Sequence, residues 1–351
     1  MRALTVLPGK ADTLEVGEVP DPSPGPGELL VQGLAVGVCG TDREIAAAEY
    51  GQAPPGRDRL VLVHESLGRV LSAPDGTGFA PGDLVVGIVR RPDPEPCGAC
   101  AHGEFDMCRN GRYTERGIMR LDGFASQRWS VEAGYAVRLD PRLGEVGVLM
   151  EPASVLAKAW EQIERIASRA WWEPKRVLVT GAGPIGLLAA LMSVQRGLET
   201  HVLDRAEGGL KPRLVADLGA VYHTGGVEQV ASAAMPDVII EATGAPALVF
   251  DAMRFNAAAG IVCLTGVSPT GRPLTIDAGG INRDLVLEND VVFGTVNANH
   301  RHYRAAARAL ELADTAWLGR LITRRLPLQR ALEAFEPGRA QDEDVKVVID
   351  L

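Results

Sequence analysis

The 351-residue sequence has no apolar run that approaches the roughly eighteen residues of a membrane-spanning helix. Its opening segment, Met1–Val6, lacks the apolar core of a secretory signal. Basic residues are fewer than acidic ones, 36 against 45, and the net charge of −9 offers no basic face to nucleic acid or an anionic membrane. We therefore expect a soluble cytoplasmic protein whose partners include neither nucleic acid nor membrane.

Cysteine is scarce as well, and its distribution is uneven. Of the five cysteines, Cys97, Cys100 and Cys108 crowd together, whereas Cys39 and Cys263 are isolated. In a cytoplasmic chain, clustered thiols indicate a metal before a disulfide. The Cys-x2-Cys-x7-Cys spacing predicts a structural zinc lobe, although such a site requires four ligands.

The fourth ligand of this lobe is not evident. Pro94 stands three residues before Cys97, where another thiol would be expected. An oxygen or nitrogen ligand could come from one of five side chains nearby: Asp93, Glu95, His102, Glu104 or Asp106. The alternative is a vestigial lobe without metal.

Length and patterning predict two domains. The first 150 residues combine many Gly and Pro turns with short apolar runs, which indicates an irregular β-rich domain. From about Val155, helical stretches alternate with apolar strands, which indicates a doubly wound parallel sheet. The predicted strands are Leu29–Val36, Gly68–Leu71, Asp83–Val89, Arg176–Thr180, His201–Leu203, Asp237–Ile240, Ile261–Leu264, Val291–Val296 and a returning tail, Val345–Ile349.

A glycine-rich loop lies between a predicted strand and a predicted helix. The segment Gly181-Ala182-Gly183-Pro184-Ile185-Gly186 fits GxGxxG, and Asp204 ends the next apolar run. In this motif the first glycine permits a tight turn, the second lets the backbone approach a pyrophosphate, and the third lets helix and strand pack closely. The combination predicts a dinucleotide site at the helix N-terminus.

Two neighbouring residues bear on the choice of cofactor. A carboxylate at Asp204 would accept hydrogen bonds from the adenosine ribose hydroxyls and repel a 2′-phosphate, which favours NAD. Arg205 could instead pair with that phosphate, so NADP remains an alternative.

Three separate segments carry residues suited to catalytic zinc. Cys39 opens a Cys-Gly-Thr-Asp segment expected to form a turn after a strand, His64 and Glu65 follow an apolar run, and Glu151 opens a predicted helix. A thiolate, an imidazole and a carboxylate, with one position left open, form a catalytic zinc arrangement. Spacing alone does not bring these segments together.

The order of these motifs resembles that of the zinc-dependent medium-chain alcohol dehydrogenases along the whole chain. Within that superfamily the sequence is most similar to the glucose 1-dehydrogenase branch. The segments that carry the closer resemblance are Val89-Arg90-Arg91, Asp106-Met107-Cys108, Glu115–Ile118, Asp122–Phe124, Glu151–Val155 and Gly294–Asn297. The resemblance implies a GroES-like catalytic domain over residues 1–154, completed by about 303–351, and a Rossmann domain over 155–302.

The resemblance also implies roles for the metal residues. Cys39, His64 and either Glu65 or Glu151 would hold the catalytic zinc, with Glu151 able to contact the metal through water instead. Asp42 would orient the histidine ligand.

Further roles concern substrate and cofactor. Thr41 would relay the substrate proton outward, and Thr41, Glu115, Glu151 and Asn297 are the implied sugar-contacting residues. Lys346 could reach the active site from the tail. The implied cofactor-binding residues are Gly181, Gly183, Pro184, Ile185, Gly186, Asp204, Arg205, Thr243, Gly266, Val267, Asn297 and Lys346.

The implied reaction transfers a hydride from a sugar or polyol hydroxyl to NAD or NADP. For an aldose C1 hydroxyl the product is a lactone, so that glucose gives gluconolactone. Alternatives with the same apparatus are a polyol, threonine-type or aminocyclitol dehydrogenase; a metal-free nucleotide-binding relative is a non-enzymatic alternative. The family further implies a homodimer or homotetramer formed through sheet edges near Val291–Val296.

One residue departs from the family pattern. The position before the His-Glu pair is usually glycine, but here it is Val63. A β-branched residue disfavours the positive φ that glycine adopts. We therefore expect an altered backbone beside the metal.

Overall fold

The computed structural model describes residues 1–269, 271, 273–336 and 344–351. The strands are β1 Arg2–Val6, β2 Glu15–Glu18, β3 Glu28–Val38, β4 Leu60–Val61, β5 Glu65–Ser72, β6 Leu84–Gly87, β7 Arg90–Arg91, β8 Thr114–Arg116, β9 Arg120–Leu121, β10 Arg128–Glu132, β11 Ala136–Arg138, β12 Arg176–Thr180, β13 Glu199–Leu203, β14 Val221–His223, β15 Val238–Glu241, β16 Ile261–Leu264, β17 Val291–Gly294, β18 Ile322–Pro327 and β19 Lys346–Asp350.

The α-helices are α1 Gly40–Ala46, α2 Gly98–Ala101, α3 Met150–Ala167, α4 Pro184–Gln195, α5 Leu210–Asp217, α6 Val227–Ala234, α7 Pro246–Arg254, α8 Ala278–Glu288, α9 His300–Glu311 and α10 Thr315–Leu321. Short 3-10 helices cover Phe105–Met107, Ala133–Tyr135, Pro141–Leu149 and Leu328–Ala334. Among the described residues, no helix combines the length and the apolarity that crossing a membrane requires.

The chain forms two compact units. One comprises Met1–Ser154 and Asn297–Leu351, and the other comprises Val155–Val296. The first boundary lies within α3, and the return to the first unit begins at Asn297, a few residues before the expected position near 303. The predicted fold class, an irregular β unit with a doubly wound α/β unit, is confirmed.

The first unit is built around the long strand β3. Its main sheet has the order β11-β6-β5-β3-β19-β18, and β10 also pairs with β3. The tail strand β19 runs antiparallel to β3, with Val347 opposite Val38, so the end of the chain lies beside the residue that precedes Cys39. Two three-stranded sheets, β2-β1-β4 and β7-β8-β9, complete the unit.

The second unit is a parallel six-stranded sheet in the order β14-β13-β12-β15-β16-β17. This order places the switch point next to β12, where ligands bind beyond the carboxyl ends of the strands. Gly181 follows β12 with a φ of 93°, which glycine adopts readily. A Cβ on Gly186 would lie 1.8 Å from the Gly181 carbonyl oxygen, so the third glycine of the motif cannot be replaced without moving the loop.

The backbone before His64 contradicts our expectation for Val63. Val63 has a φ of 70° and is fully buried, so a valine occupies the left-handed region that we expected it to avoid. Its carbonyl oxygen accepts a hydrogen bond from Phe124 N at 2.8 Å. A Cβ on Gly123 would lie 2.3 Å from that oxygen, and one on Gly117 would lie 2.7 Å from it. Two closely packed glycine segments and a hydrogen bond therefore hold the strained residue in place.

Replacing Val63 by glycine should lower the free energy of unfolding by less than the same replacement at a buried valine that has no positive φ. Val70, on β5, is also buried but has no positive φ, so Val70→Gly is the matched control. Both changes remove the same side chain, but only Val63→Gly also relieves strain of about 1–3 kcal/mol. Scanning calorimetry should therefore show a smaller fall in apparent Tm for Val63→Gly. An equal or larger fall would mean that the valine is not strained.

Candidate active site and metal centre

Cys39 is positioned by the junction of β3 and α1. The expected turn is instead the start of a helix: Cys39 is the N-cap residue, and Asp42 is the third helical residue. The Asp42 Oδ2 atom accepts a hydrogen bond from Cys39 N at 2.9 Å. A carboxylate at this position satisfies one of the free N–H groups at the helix start, which is why the segment becomes helical.

His64 faces the Cys39 thiol with one ring nitrogen and the Asp42 carboxylate with the other. The distance from Cys39 Sγ to His64 Nε2 is 3.5 Å, and that from His64 Nδ1 to Asp42 Oδ1 is 3.6 Å. Asp42 is fully buried. This is the arrangement in which a carboxylate fixes the orientation and tautomer of a metal-binding imidazole.

The donor set fits zinc. A tetrahedral zinc bound to one sulfur and one nitrogen would hold these two atoms about 3.6 Å apart, close to the observed separation. Cys39, His64 and Glu65 each place one ligand atom within 4.8 Å of the others. The buried Oε2 atom of Glu65 has no hydrogen-bond partner among the described residues.

The Lys346 side chain contacts the Glu65 carboxylate. Its Nζ forms an ion pair with Glu65 Oε1 and donates to Val38 O at 3.1 Å, and both charged side chains are 2% exposed. Burial raises the pKa of Glu65, and the Lys346 ammonium opposes that rise. The side-chain contacts described for Lys346 are therefore with Glu65 and Val38. Its implied contact with the cofactor stays a prediction.

Glu151 and Thr41 lie at the start of their helices. Glu151 is in the first turn of α3, where burial, reinforced by the Glu65 carboxylate, raises its pKa to about 7. It does not join the converging group formed by Cys39, His64 and Glu65. Thr41 is the second residue of α1 and is half-buried.

Glu115 and Asn297, the two implied sugar contacts, meet in the first unit. Asn297 Nδ2 donates to Glu115 Oε1 at 2.6 Å, although 182 residues separate them in sequence. Asn297 has a φ of 63°, a conformation that asparagine tolerates better than most residues, and its Oδ1 accepts from Ala298 N at 2.8 Å. Both side chains are buried, at 4% and 8% exposure.

Asp204 follows β13 and holds the glycine loop. Its Oδ2 accepts from Ala182 N at 2.7 Å, and its Oδ1 accepts from Ala206 N at 3.0 Å. The Lys211 ammonium lies 3.5 Å from Oδ1. Although burial opposes it, these hydrogen bonds and the cation lower the pKa of Asp204. Arg205, the next residue, is exposed.

The other implied cofactor residues of the second unit lie beyond β15 and β16. Glu241, fully buried at the end of β15, accepts hydrogen bonds from Thr243 N at 2.8 Å and Gly244 N at 3.1 Å. A Cβ on Gly266 would lie 2.1 Å from Gly244 N, so two loops approach through glycine. Val267 is 76% exposed.

The three lobe thiols converge as expected for a metal site. Cys97, Cys100 and Cys108 place their sulfur atoms within 4.8 Å of one another. A hydrogen bond from Arg109 N, 3.4 Å from the sulfur, contributes most to lowering the pKa of Cys97 to about 6. Burial raises the pKa of Cys100 to about 11.

None of the five candidate fourth ligands joins this group within the described part of the chain. Asp93 is 2% exposed and bonds Glu95 N at 2.8 Å and Arg112 Nε at 3.2 Å. The other four also have partners: Glu95 with Arg112, Glu104 with Arg301, Asp106 with Asn299, and His102 with Gly98 O. Zinc in the lobe therefore remains a prediction. The structure brings together three of the four ligands that a structural zinc site requires.

The sequence did not indicate the roles of three residues in the candidate sites. Arg90 contacts Glu115, Lys211 contacts Asp204, and Glu241 organises the Thr243 turn. Glu241 had a usable signal, because it directly follows an apolar strand at the ligand-binding edge of a parallel sheet. Arg90 lies in a segment that carries the family resemblance, but neither it nor Lys211 could be given a role, since only the fold shows which carboxylate each one meets.

The fold and the site define a zinc-dependent medium-chain alcohol dehydrogenase. Residues 25–141 match the alcohol dehydrogenase GroES-like domain, and residues 144–351 match the family described as glucose dehydrogenase C-terminus. The chain therefore belongs to the glucose dehydrogenase family and is a dehydrogenase, which confirms the resemblance seen in the sequence.

Individual relatives agree with this assignment. Glucose 1-dehydrogenase of Methanocella arvoryzae is 40% identical over 360 residues, and that of Thermoproteus tenax is 40% identical over 357; each alignment covers 100% of this chain and 99% of the relative. Glucose dehydrogenase of Haloferax mediterranei, solved in complex with NADP, Zn and gluconolactone, is 34% identical with a TM-score of 0.91 over 100% of this chain and 99% of that chain.

Proposed function

We propose that this chain is an NAD(P)-dependent glucose 1-dehydrogenase that oxidises the C1 hydroxyl of glucose to gluconolactone. The observation that carries the proposal is the convergence of Cys39 Sγ and His64 Nε2 at 3.5 Å with Asp42 behind the imidazole. The Haloferax mediterranei relative, whose structure holds NADP, Zn and gluconolactone, supports the choice of substrate.

Each residue of the site has a distinct part in this proposal. Cys39 and His64 would hold the zinc, joined by Glu65 or Glu151, and Asp42 would keep His64 oriented. When bound, zinc supplies Lewis-acid polarisation of the substrate hydroxyl, while the nicotinamide supplies the hydride acceptor. The Thr41 hydroxyl would relay the substrate proton outward.

We assign recognition of the sugar to two polar side chains in segments that resemble the glucose 1-dehydrogenase branch, Glu115–Ile118 and Gly294–Asn297. Glu115 and Asn297 form a buried hydrogen-bonded pair, and a carboxylate and an amide suit hydroxyl groups as acceptor and donor. Buried polar groups of this kind discriminate strongly between sugars, because a missing hydroxyl leaves them unpaired.

Replacing Cys39 by serine tests the assignment directly. We expect glucose turnover to fall by at least about 100-fold because a zinc ligand is lost. Zinc content, measured by atomic emission, should fall by one ion per chain, while NADP binding, measured by fluorescence, should persist. Cys263→Ala, which removes a buried thiol from β16, is the control and should keep both zinc and turnover.

A panel of aldoses, polyols and threonine, followed through nicotinamide absorbance, identifies the substrate. Glucose should have the highest kcat/KM. A zinc-replete wild-type enzyme that oxidises a polyol but no aldose would contradict the proposal, as would full turnover by the Cys39 variant.

We further infer that the enzyme accepts NADP as well as NAD, although Asp204 alone favours NAD. Both Asp204 oxygens already accept backbone hydrogen bonds, and Lys211 offsets the carboxylate charge at 3.5 Å. A neutralised carboxylate repels a 2′-phosphate less, and Lys211 with Arg205 provides positive charge at the edge where the ribose binds.

Lys211→Met should therefore shift the preference towards NAD. We expect kcat/KM for NADP to fall by about tenfold or more, the equivalent of one lost charge-assisted hydrogen bond, and that for NAD to change by less than about twofold. Lys175→Met removes the same charge from the amino end of β12 and serves as control. An equal loss with both cofactors would contradict the inference.

A second copy of this chain is the proposed partner of the β17 edge. β17 pairs only with β16 among the described strands, and α8 exposes Val286 and Leu287 at 66% and 63%. An unpaired strand edge and exposed apolar side chains each favour association with another chain.

The double variant Val286→Asp with Leu287→Asp should reduce the molar mass of the particle, measured by light scattering after size exclusion, because buried carboxylates oppose association. Leu312→Asp, at a position 79% exposed in the first unit, is the control. An unchanged mass in the double variant would place the interface elsewhere.

A further inference from the structure

Arg90 is a buried cation that the proposed mechanism does not use. It lies on β7 beside Arg91, and the two residues are 6% and 7% exposed. Removing a guanidinium from water is strongly unfavourable unless its donors and its charge are matched. The contacts of Arg90 therefore indicate why the chain keeps a charge there.

All three nitrogens of the Arg90 guanidinium are engaged. Nε and Nη2 lie 3.0 Å and 2.9 Å from Glu115 Oε1, and Nη1 donates to Asp106 O at 3.0 Å. One face lies over the Tyr113 ring, 3.8 Å from its centroid. Hydrogen bonds in the plane and a ring against one face leave the group a single orientation.

Two of the three guanidinium nitrogens converge on one oxygen of Glu115. Oε1 receives both Arg90 nitrogens and also Asn297 Nδ2 at 2.6 Å. None of the residues that the structure describes donates a hydrogen bond to Oε2. A carboxylate whose one oxygen is saturated has its acceptor capacity concentrated on the other.

We propose that Arg90 is a positioning residue for sugar recognition, which fixes Glu115 so that Oε2 accepts a hydroxyl of the substrate. The inference rests on the proposed function, because it takes Glu115 as a sugar contact. Arg90 itself does not need to touch the sugar. The strand pairing of Arg90 with Glu115 supports this role, since it sets the two backbones side by side before the side chains interact.

Arg91 provides an internal comparison. It is equally buried, its Nε and Nη2 form a fork on Glu132, and its guanidinium lies 4.0 Å from the Tyr135 ring centroid. Its chemistry thus matches that of Arg90, but its carboxylate partner is not Glu115. A purely structural requirement for a buried arginine on β7 would affect both positions alike.

The test compares Arg90→Lys with Arg91→Lys in zinc-replete enzyme with NADP. Lysine keeps the charge but lacks the planar fork. We expect Arg90→Lys to raise KM for glucose by about tenfold or more, with kcat changed by less than about threefold, and Arg91→Lys to leave both within about twofold. Zinc content and NADP affinity should match wild type in both variants.

A second readout separates positioning from general damage. Against glucose and its monodeoxy analogues, wild type should lose kcat/KM for the analogue that lacks the hydroxyl accepted by Oε2. That loss should shrink in Glu115→Gln and to a similar extent in Arg90→Lys. If Arg90→Lys fails to bind NADP, Tyr113→Leu, which removes only the stacked ring, should shrink the same discrimination.

Three results would overturn the inference. An Arg90→Lys enzyme with unchanged KM, one that retains full discrimination among the analogues, or equal effects in both lysine variants would each remove the role of Arg90 while leaving glucose oxidation established. A wild-type enzyme that oxidises no aldose would overturn the proposed function and this inference together.

Discussion

The Asp42 carboxylate joins the two halves of the proposed metal site, Cys39 and His64. One oxygen caps α1 at Cys39 N, and the other faces His64 Nδ1, so a single buried group positions both a thiol and an imidazole. A fully buried carboxylate is stable only when such partners offset its desolvation. Because Gly37 on β3 lies opposite Glu65 on β5, the sheet already brings the two ligand segments together. The carboxylate then fixes which ring nitrogen meets the sulfur.

Strain beside this centre is held by close backbone packing. Val63 adopts a positive φ although it is β-branched, and Gly117 and Gly123 approach its backbone closely enough that any Cβ would collide with it. Such strain persists only where the surroundings determine the conformation. The glycines of the 117–123 segment therefore have a physical reason to accompany His64, and the family's usual glycine at position 63 is not required for the geometry.

Local patterns in the sequence predicted much of the fold. The GxGxxG turn, five of the six parallel strands and the helix at Glu151 follow from short-range periodicity and glycine placement, whereas the edge strand β14 was not predicted. Contacts between distant segments could not be predicted in this way. Lys346 meets Glu65 across 281 residues, and only the resemblance to a family linked Cys39 with His64. The prediction for Val63 was wrong because it rested on the preference of a β-branched residue for negative φ. The packing around Val63 overrides that preference.

The cysteine lobe and the Glu115 segment are both held by hydrogen bonds from Arg90. Arg90 bonds the Asp106 carbonyl as well as Glu115, and Asn299 Nδ2 donates to Asp106 Oδ1 at 2.5 Å. Asn299 also caps α9, two residues after Asn297. Asp106 is thus bonded to Arg90, which holds Glu115, and to Asn299, which follows Asn297 by two residues. A change in the loop around Asp106 on metal binding would therefore act on the same arginine that holds the Glu115 carboxylate.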